Sequence, residues 1–435
     1  MSGSSVLLLV AICFASGAHA KIGFGPGEQE WGYVKVRSDA NMFWWLYYTT
    51  ANVSSYYDKP LIIWLQGGPG ASSTSYGNFE ELGPLDLSLN QRNYTWVKDY
   101  NVLFIDNPVG TGFSYVTDPS AYTTTNEQIA SDLVECMRGF LKVLPKFANV
   151  STYITTESYG GKMGVDFALA WYKAQQAGTI KSNLKGVSLI DSWIDPIGSV
   201  MEWAPFLYAT GMVDTEGYKT IDKAAQATKK AVNAELWFQA TSLWSAAERV
   251  ILQTTSNIDF YNILTKKQPG FMRDSSAVRY SSELALMRGD LISTYDFDLN
   301  YLMNGPVKRS LNLTVEHSTQ SDTVFYKLQE DFMKPVVDKV ELLLNQTNLK
   351  VDVITGQLDL IVDTPGTVNW VENMKWKYSN IWLKARRQPL VVQDVIEGYV
   401  KSYGNLAMYW VNRAGHMVPK DNPAAMAQIL KRFAN

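Results

Sequence analysis

The 435-residue chain predicts an α/β fold with a central, mainly parallel sheet and a mostly helical insertion. Three observations carry that reading. Apolar runs of strand length alternate with helix-period stretches over the first part of the chain. Similar runs return near the C-terminus, and the stretch between is helical in texture with few strand signals. Hydrophobic residues are 46% and charged residues 19% of the chain, enough for a sizeable core and contrary to disorder. The formal net charge of -3, without a basic stripe, argues against a nucleic-acid partner.

Residues 6–15 are uninterruptedly apolar and precede Ala18-His19-Ala20, the pattern of a signal peptide cleaved after Ala20. The run is too short to cross a bilayer, which needs about 20 apolar residues. Residues 1–20 are therefore expected to be removed, with no membrane anchor. The remainder is expected in the secretory pathway, secreted or lysosomal. Sequons at Asn52, Asn93, Asn149, Asn312 and Asn345 are candidate glycosylation sites. Of two cysteines, Cys13 leaves with the signal. Cys136 then has no partner for an intramolecular disulfide, and it shares helical spacing with Ile129, Leu133 and Phe140. It reads as core packing.

A first core segment spans 21–195. Leu61–Leu65, 102–105, 153–155 and Leu184–Ile190 read as buried strands. A helix over 126–144 follows a capping box, Thr124-x-x-Glu127, and a second carries Met163, Phe167 and Trp171 and ends near Gly178. The insertion, or cap, spans 196–349, with helices expected over 224–252 and 327–344. The core resumes over 350–435 with strands at 350–355 and Leu406–Val411, and Asn422-Pro423 opens a final helix.

The segment Thr155-Thr156-Glu157-Ser158-Tyr159-Gly160-Gly161 stands between a strand and a helix. That is the context of a nucleophile elbow, where small residues let the chain turn sharply and expose a serine. Thr156 occupies the first glycine position of the pattern. Of three histidines, His19 leaves with the signal. His317 lies in a polar stretch of the insertion and reads as a surface residue. His416 follows a strand, in the loop Arg413-Ala414-Gly415-His416-Met417-Val418-Pro419, where such sheets gather catalytic groups. The order Ser, Asp, His of α/β-hydrolases then asks for a carboxylate between them. Asp359, in the loop after strand 350–355, fits that place; Asp352 and Asp363 have ordinary structural readings.

With Trp64-Leu65-Gln66-Gly67-Gly68-Pro69-Gly70-Ala71-Ser72-Ser73, Glu157-Ser158-Tyr159-Gly160-Gly161-Lys162 and Gly415-His416-Met417-Val418-Pro419 in this order, the chain resembles the serine carboxypeptidase family. Asp106–Tyr115 and Asp191-Ser192-Trp193-Ile194-Asp195-Pro196 agree with it. The resemblance implies an α/β-hydrolase fold and a peptidase acting on peptide or protein C-termini without a metal or cofactor. It implies Ser158 as nucleophile, His416 as base and Asp359 as its orienting carboxylate, with the N–H groups of Gly68 and Tyr159 as the oxyanion hole. Substrate binding is implied for Trp64, Gln66 and Gly67, with Glu81 and Glu157 sharing protons to hold the terminal carboxylate, best in acid. Matching Glu81-Leu82-Gly83-Pro84 to the family selects Glu81 over Glu80. The chain departs from the family at Gln66, Ala71, Lys162 and Val362, outside the three catalytic residues. An acyltransferase or esterase on the same scaffold is the rival enzyme, and a binding or stabilising protein the rival without catalysis.

Overall fold

Strand β4 (Leu61–Leu65) is buried along its whole length, and its side chains divide between two cores. Leu61, Ile63 and Leu65 join Trp44, Leu103, Ile154 and helix residues Ile129, Phe140, Met163 and Phe167. Ile62 and Trp64 join Trp45, Phe104, Tyr153, Phe79 and C-terminal residues Ile429 and Phe433. An apolar run without alternation is what a strand covered on both faces requires.

The computed structural model describes residues 21–266 and 294–434. Its sheet has 12 strands among these residues, and β4 lies near the middle. Chain order gives β1 (Lys21–Ile22), β2 (Glu28–Arg37), β3 (Ala40–Tyr47), β4, β5 (Asn101–Ile105), β6 (Tyr115–Val116), β7 (Thr152–Glu157), β8 (Leu184–Ile190), β9 (Lys350–Gly356), β10 (Gln388–Val392), β11 (Val395–Tyr403) and β12 (Leu406–Val411). The order across the sheet is β1-β2-β3-β5-β4-β7-β8-β9-β12-β11-β10, with β6 beside β3. From β5 to β12 all neighbours are parallel. Antiparallel strands flank this block at both sides. The chain has the α/β-hydrolase architecture, and the carboxyl ends of β4, β7, β9 and β12 point to one edge, where ligand sites form.

Helices α1 (Asn126–Val143) and α2 (Gly160–Gln176) cover one face. The cap of α1 sits one residue later than expected: Thr125 Oγ1 accepts Gln128 N–H, and Gln128 Oε1 accepts Thr124 N–H. Between β8 and β9 lie α3 (Pro196–Ala209), α4 (Thr215–Asn233), α5 (Trp237–Thr254), α6 (Thr294–Leu302), α7 (Asp322–Phe332) and α8 (Val337–Gln346). The helix expected over 224–252 is two helices. Glu235 turns the chain at φ 54, yet both helices bury residues in the same core, so the apolar spacing conceals the break. The helix expected over 327–344 is also divided. Pro335 lies between α7 and α8, where it cannot donate to a helical ladder. After β9 come α9 (Thr364–Asn373), the short α10 (Val418–Asp421) and α11 (Pro423–Phe433), which covers the second face.

The expected signal segment lies outside the described residues. Cys136 is fully buried and its thiol is pushed up by that burial, as a core side chain would be.

Candidate active site

Ser158 stands between β7 and α2 at φ 59, a left-handed backbone that costs a non-glycine residue about 1–3 kcal/mol. Two bonds to the chain leaving β8 hold it there. Ser158 N–H donates to Ile190 O at 3.1 Å, and Trp193 N–H donates to Ser158 O at 2.9 Å. Thr156 is accommodated because its crossing partner on α2 is Gly164. A Cβ at 164 would lie 2.4 Å from Thr156 Cγ2, so the small residue the turn needs has moved into the helix.

His416 Nδ1 and Asp359 Oδ2 are 2.8 Å apart, both buried. Asp359 Oδ1 accepts Val362 N–H at 3.2 Å. Segment 260–262 sews their two loops together. His416 N–H donates to Tyr261 O at 2.7 Å, while Leu360 and Ile361 N–H both donate to Phe260 O. Asp421 completes the clamp by accepting Gly415 N–H at 2.7 Å and Asn262 Nδ2 at 3.0 Å. No motif in the sequence marks this segment; its contribution is mainly backbone.

The Gly67-Gly68 turn passes against the elbow. A Cβ on Gly67 would fall 2.6 Å from Ser158 Cβ and 2.9 Å from Tyr159 N, so only glycine brings this backbone so close. Among the described residues no backbone carbonyl takes up the N–H of Gly68 or of Tyr159.

Gln66 lies beside this turn. Its Oε1 accepts Trp64 Nε1–H at 2.7 Å, and its Nε2 donates to Glu157 Oε1 at 2.8 Å and Glu81 Oε1 at 3.1 Å. Burial pushes the Glu81 carboxyl up to about 7. Glu157 is raised well above the carboxylate range, by burial first and then by the charge of Glu81. Such carboxyls keep protons that exposed ones would lose.

These groups meet at a cavity of about 480 Å³. Ser158, Tyr159, Gly67, Gly68, Gln66, Glu157 and His416 line it, with an aromatic wall of Trp193, Trp244 and Phe332. Trp64, Glu81 and Asp359 stand behind the lining. Trp64, expected as a substrate contact, is fully buried and reaches the cavity only through Gln66. Glu80, set aside in favour of Glu81, does line the cavity, where it pairs with Lys420 Nζ at 2.6 Å. Lys162 is wholly buried under the wall. Its Nζ lies 3.1 Å from Asp331 Oδ1, which also accepts the Tyr159 hydroxyl at 3.0 Å. Sequence reasoning missed Lys420, Asp331 and the aromatic wall, whose members come from the loop after β8 and from helices α5 and α7.

His317 is not a surface residue. It is buried, with Nε2 3.0 Å from Ser72 Oγ, which in turn donates to Asp106 Oδ1 at 2.7 Å. The polar stretch around it folds back as isolated bridges to Ala71 and Gly112, which seal the ring from water. Asp352 lies buried in β9, and Asp363 caps α9 by accepting Gly366 N–H at 2.8 Å, both structural.

The family model for serine carboxypeptidase matches residues 22–435. Retinoid-inducible serine carboxypeptidase of Homo sapiens is 44% identical over 426 residues, covering 95% of this chain and 94% of the relative. The rat protein of that name is 43% identical, covering 96% and 93%. Serine carboxypeptidase-like 51 of Arabidopsis thaliana is 35% identical, covering 98% of each. In structure the chain is similar to KEX1(delta)p of Saccharomyces cerevisiae, titled a prohormone-processing carboxypeptidase. The TM-score is 0.79 at 22% identity, over 94% of this chain and 91% of that one, a likeness of fold. An elbow serine facing a buried His–Asp pair across one cavity, matched by similarity over almost the whole chain, makes this protein a member of the serine carboxypeptidase family.

Proposed function

We propose that the chain removes C-terminal residues from peptides through an acyl-enzyme, with Ser158 as nucleophile, His416 as base and acid, and Asp359 as orienting carboxylate. Ser158 Oγ attacks the carbonyl carbon of the last peptide bond while His416 Nε2 takes its proton. The oxyanion is held by the N–H groups of Gly68 and Tyr159, where charge develops. His416 gives the proton to the leaving amine, the C–N bond breaks, and the acyl group stays on Ser158. Water, deprotonated by His416, then releases the shortened peptide. Lining the cavity beside Ser158, Gln66 and Glu157 bind the substrate carboxylate, with Glu81 and Trp64 orienting Gln66 from behind.

The observation that carries this reading is the buried amide between two proton-holding carboxyls next to the elbow. A terminal carboxylate needs such donors; an ester or an acyl acceptor does not. The same protons make acidic conditions favourable, in keeping with a secreted or lysosomal protein. No helix among the described residues is long and apolar enough to cross a membrane. Asn52, Asn93, Asn149, Asn312 and Asn345 are all exposed, which supports glycosylation at each. The Asn345 Nδ2, where a glycan would attach, donates to Lys375 O, and its Oδ1 accepts Lys377 N–H. A fluorophosphonate test addresses the reading. Labelling at Ser158 with turnover of free-acid peptides supports it; labelling without peptide turnover points to an acyltransferase or esterase; no labelling removes the enzyme.

A further inference from the structure

The turn Gly67-Gly68-Pro69-Gly70 has glycine at three of its four positions, so its own sequence does little to fix its shape. Gly68 sits at φ 106 and Gly70 at φ 99, and an internal bond runs from Ala71 N–H to Gly67 O at 3.2 Å. On one side the elbow bounds the turn, where Gly67 packs on Ser158 and Tyr159. On the other side lie residues 319–321 of the insertion. Ser72 N–H donates to Thr319 O at 3.0 Å, and Ser321 N–H donates to Gly70 O at 2.8 Å. Between these two bonds the Gln320 side chain reaches over the turn, and its Nε2 donates to Pro69 O at 3.0 Å. A Cβ on Gly68 would lie 3.2 Å from that Nε2, so the amide rests directly on the residue read as an oxyanion donor.

Helix α7 carries this clamp to the second donor. It starts directly after Gln320, with Ser321 as its cap. At its far end Asp331 Oδ1 accepts the Tyr159 hydroxyl at 3.0 Å, and the Phe332 and Tyr159 rings stack with centroids 5.8 Å apart. Phe332 O accepts Lys162 Nζ at 3.2 Å and Trp193 Nε1–H at 3.1 Å, which locks that end to the elbow. One helix of the insertion thus grips the Gly68 turn at its start and Tyr159 at its end.

We propose that Gln320 is a positioning residue of the oxyanion hole, whose side-chain amide clamps the Gly68 turn against the elbow from the insertion. This rests on the reading of Gly68 and Tyr159 given above. Oxyanion donors act on charge that develops only in the transition state, and a displacement of about 1 Å can cost about a hundredfold in rate. Losing the clamp therefore weakens the transition state and leaves ground-state binding in place.

The test compares wild type with Q320M, which keeps the length of the side chain and removes its donor, with S158A as reference. kcat and KM are read on an N-blocked dipeptide. Ki is read for an N-blocked α-aminoboronic acid, which forms a tetrahedral adduct on Ser158, and for the matching carboxylic acid, which does not. Q320M is expected to lose about tenfold in kcat with KM within about threefold. The boronic acid Ki is expected to rise about tenfold while the carboxylic acid Ki stays within about threefold. A Q320M with wild-type kcat overturns the proposal. So does a Q320M whose KM and two Ki values all worsen together, which would make Gln320 a substrate contact. If Q320M does not fold, Q320N, one methylene too short to reach Pro69 O, is expected to give the same split. A wild type that takes the boronic acid at Ser158 but releases no residue removes the peptidase reading alone, and the two Ki values then decide Gln320. A wild type that does neither overturns both.

Discussion

Trp64 Nε1 donates to Gln66 Oε1 at 2.7 Å, and that single bond dictates which way the Gln66 amide points. With the oxygen held by the indole, only the NH₂ group can face Glu157 and Glu81. A shorter amide cannot span from the indole to both carboxyls. Gln66→Asn is expected to raise KM for an N-blocked dipeptide about tenfold while kcat changes less than about threefold. Trp64→Phe, which frees the amide to flip, is expected to act in the same direction with a smaller effect. Steady-state kinetics on the free-acid dipeptide checks both.

The protons on Glu81 and Glu157 set the pH dependence of binding. Glu81 is raised to about 7 and Glu157 well above the carboxylate range, so the neutral, hydrogen-bond-donating form of Glu81 is present below about pH 7 and disappears as pH rises through it, while Glu157 holds its proton longer. KM for a free-acid substrate should therefore climb above about pH 7, whereas KM for the matching C-terminal amide stays level. Glu81→Gln, which cannot ionise, should flatten the rise. A KM for the free acid that is constant from acid to alkaline pH contradicts this account.

Lys162 and Asp331 hold the aromatic wall to the elbow. Removing the cation leaves Asp331 buried with only neutral donors, Asn126 and Tyr159. Lys162→Met is expected to cost about 3 kcal/mol in folding stability, because half a buried ion pair is worse than none. The double variant Lys162→Met/Asp331→Asn should recover part of that loss. Denaturant titration of the three variants reads the coupling directly.

His317 makes stability depend on pH in the opposite sense to the glutamates. Burial lowers it to about 3, so the unfolded chain binds a proton that the folded one refuses. Its contribution is intact above the unfolded value of about 6.5 and is lost by about 1.4 kcal/mol per pH unit as pH falls toward 3. The stability advantage of wild type over His317→Asn should therefore shrink on acidification. An advantage that stays constant between neutral and mildly acidic pH would show that His317 is protonated in the fold.

Where side-chain type and spacing decide the outcome, the sequence was legible. The strand Leu61–Leu65, the elbow at Ser158 and the loop of His416 all announce themselves because each depends on a local pattern. The helix over 224–252 misled because the apolar stripe continues across a turn at Glu235. His317 misled because its neighbours are polar, and only the fold shows that they bond inward to Ser72 and Asp106. Thr124 was a reasonable cap, but Thr125 next to it has the same chemistry and takes the role. Lys420 against Glu80, and Asn262 against Asp421, join residues 340 and 159 positions apart, a relationship no local reading contains.

The central claim is that Ser158 cleaves the last peptide bond of substrates whose free carboxylate is held beside it. The most direct measurement is release of the C-terminal residue from an N-blocked dipeptide at about pH 5 and pH 7, by wild type and Ser158→Ala, with the C-terminal amide alongside. The account predicts release that depends on Ser158, is faster in acid and is much weaker on the amide. Equal turnover of acid and amide, or release that survives Ser158→Ala, would contradict it.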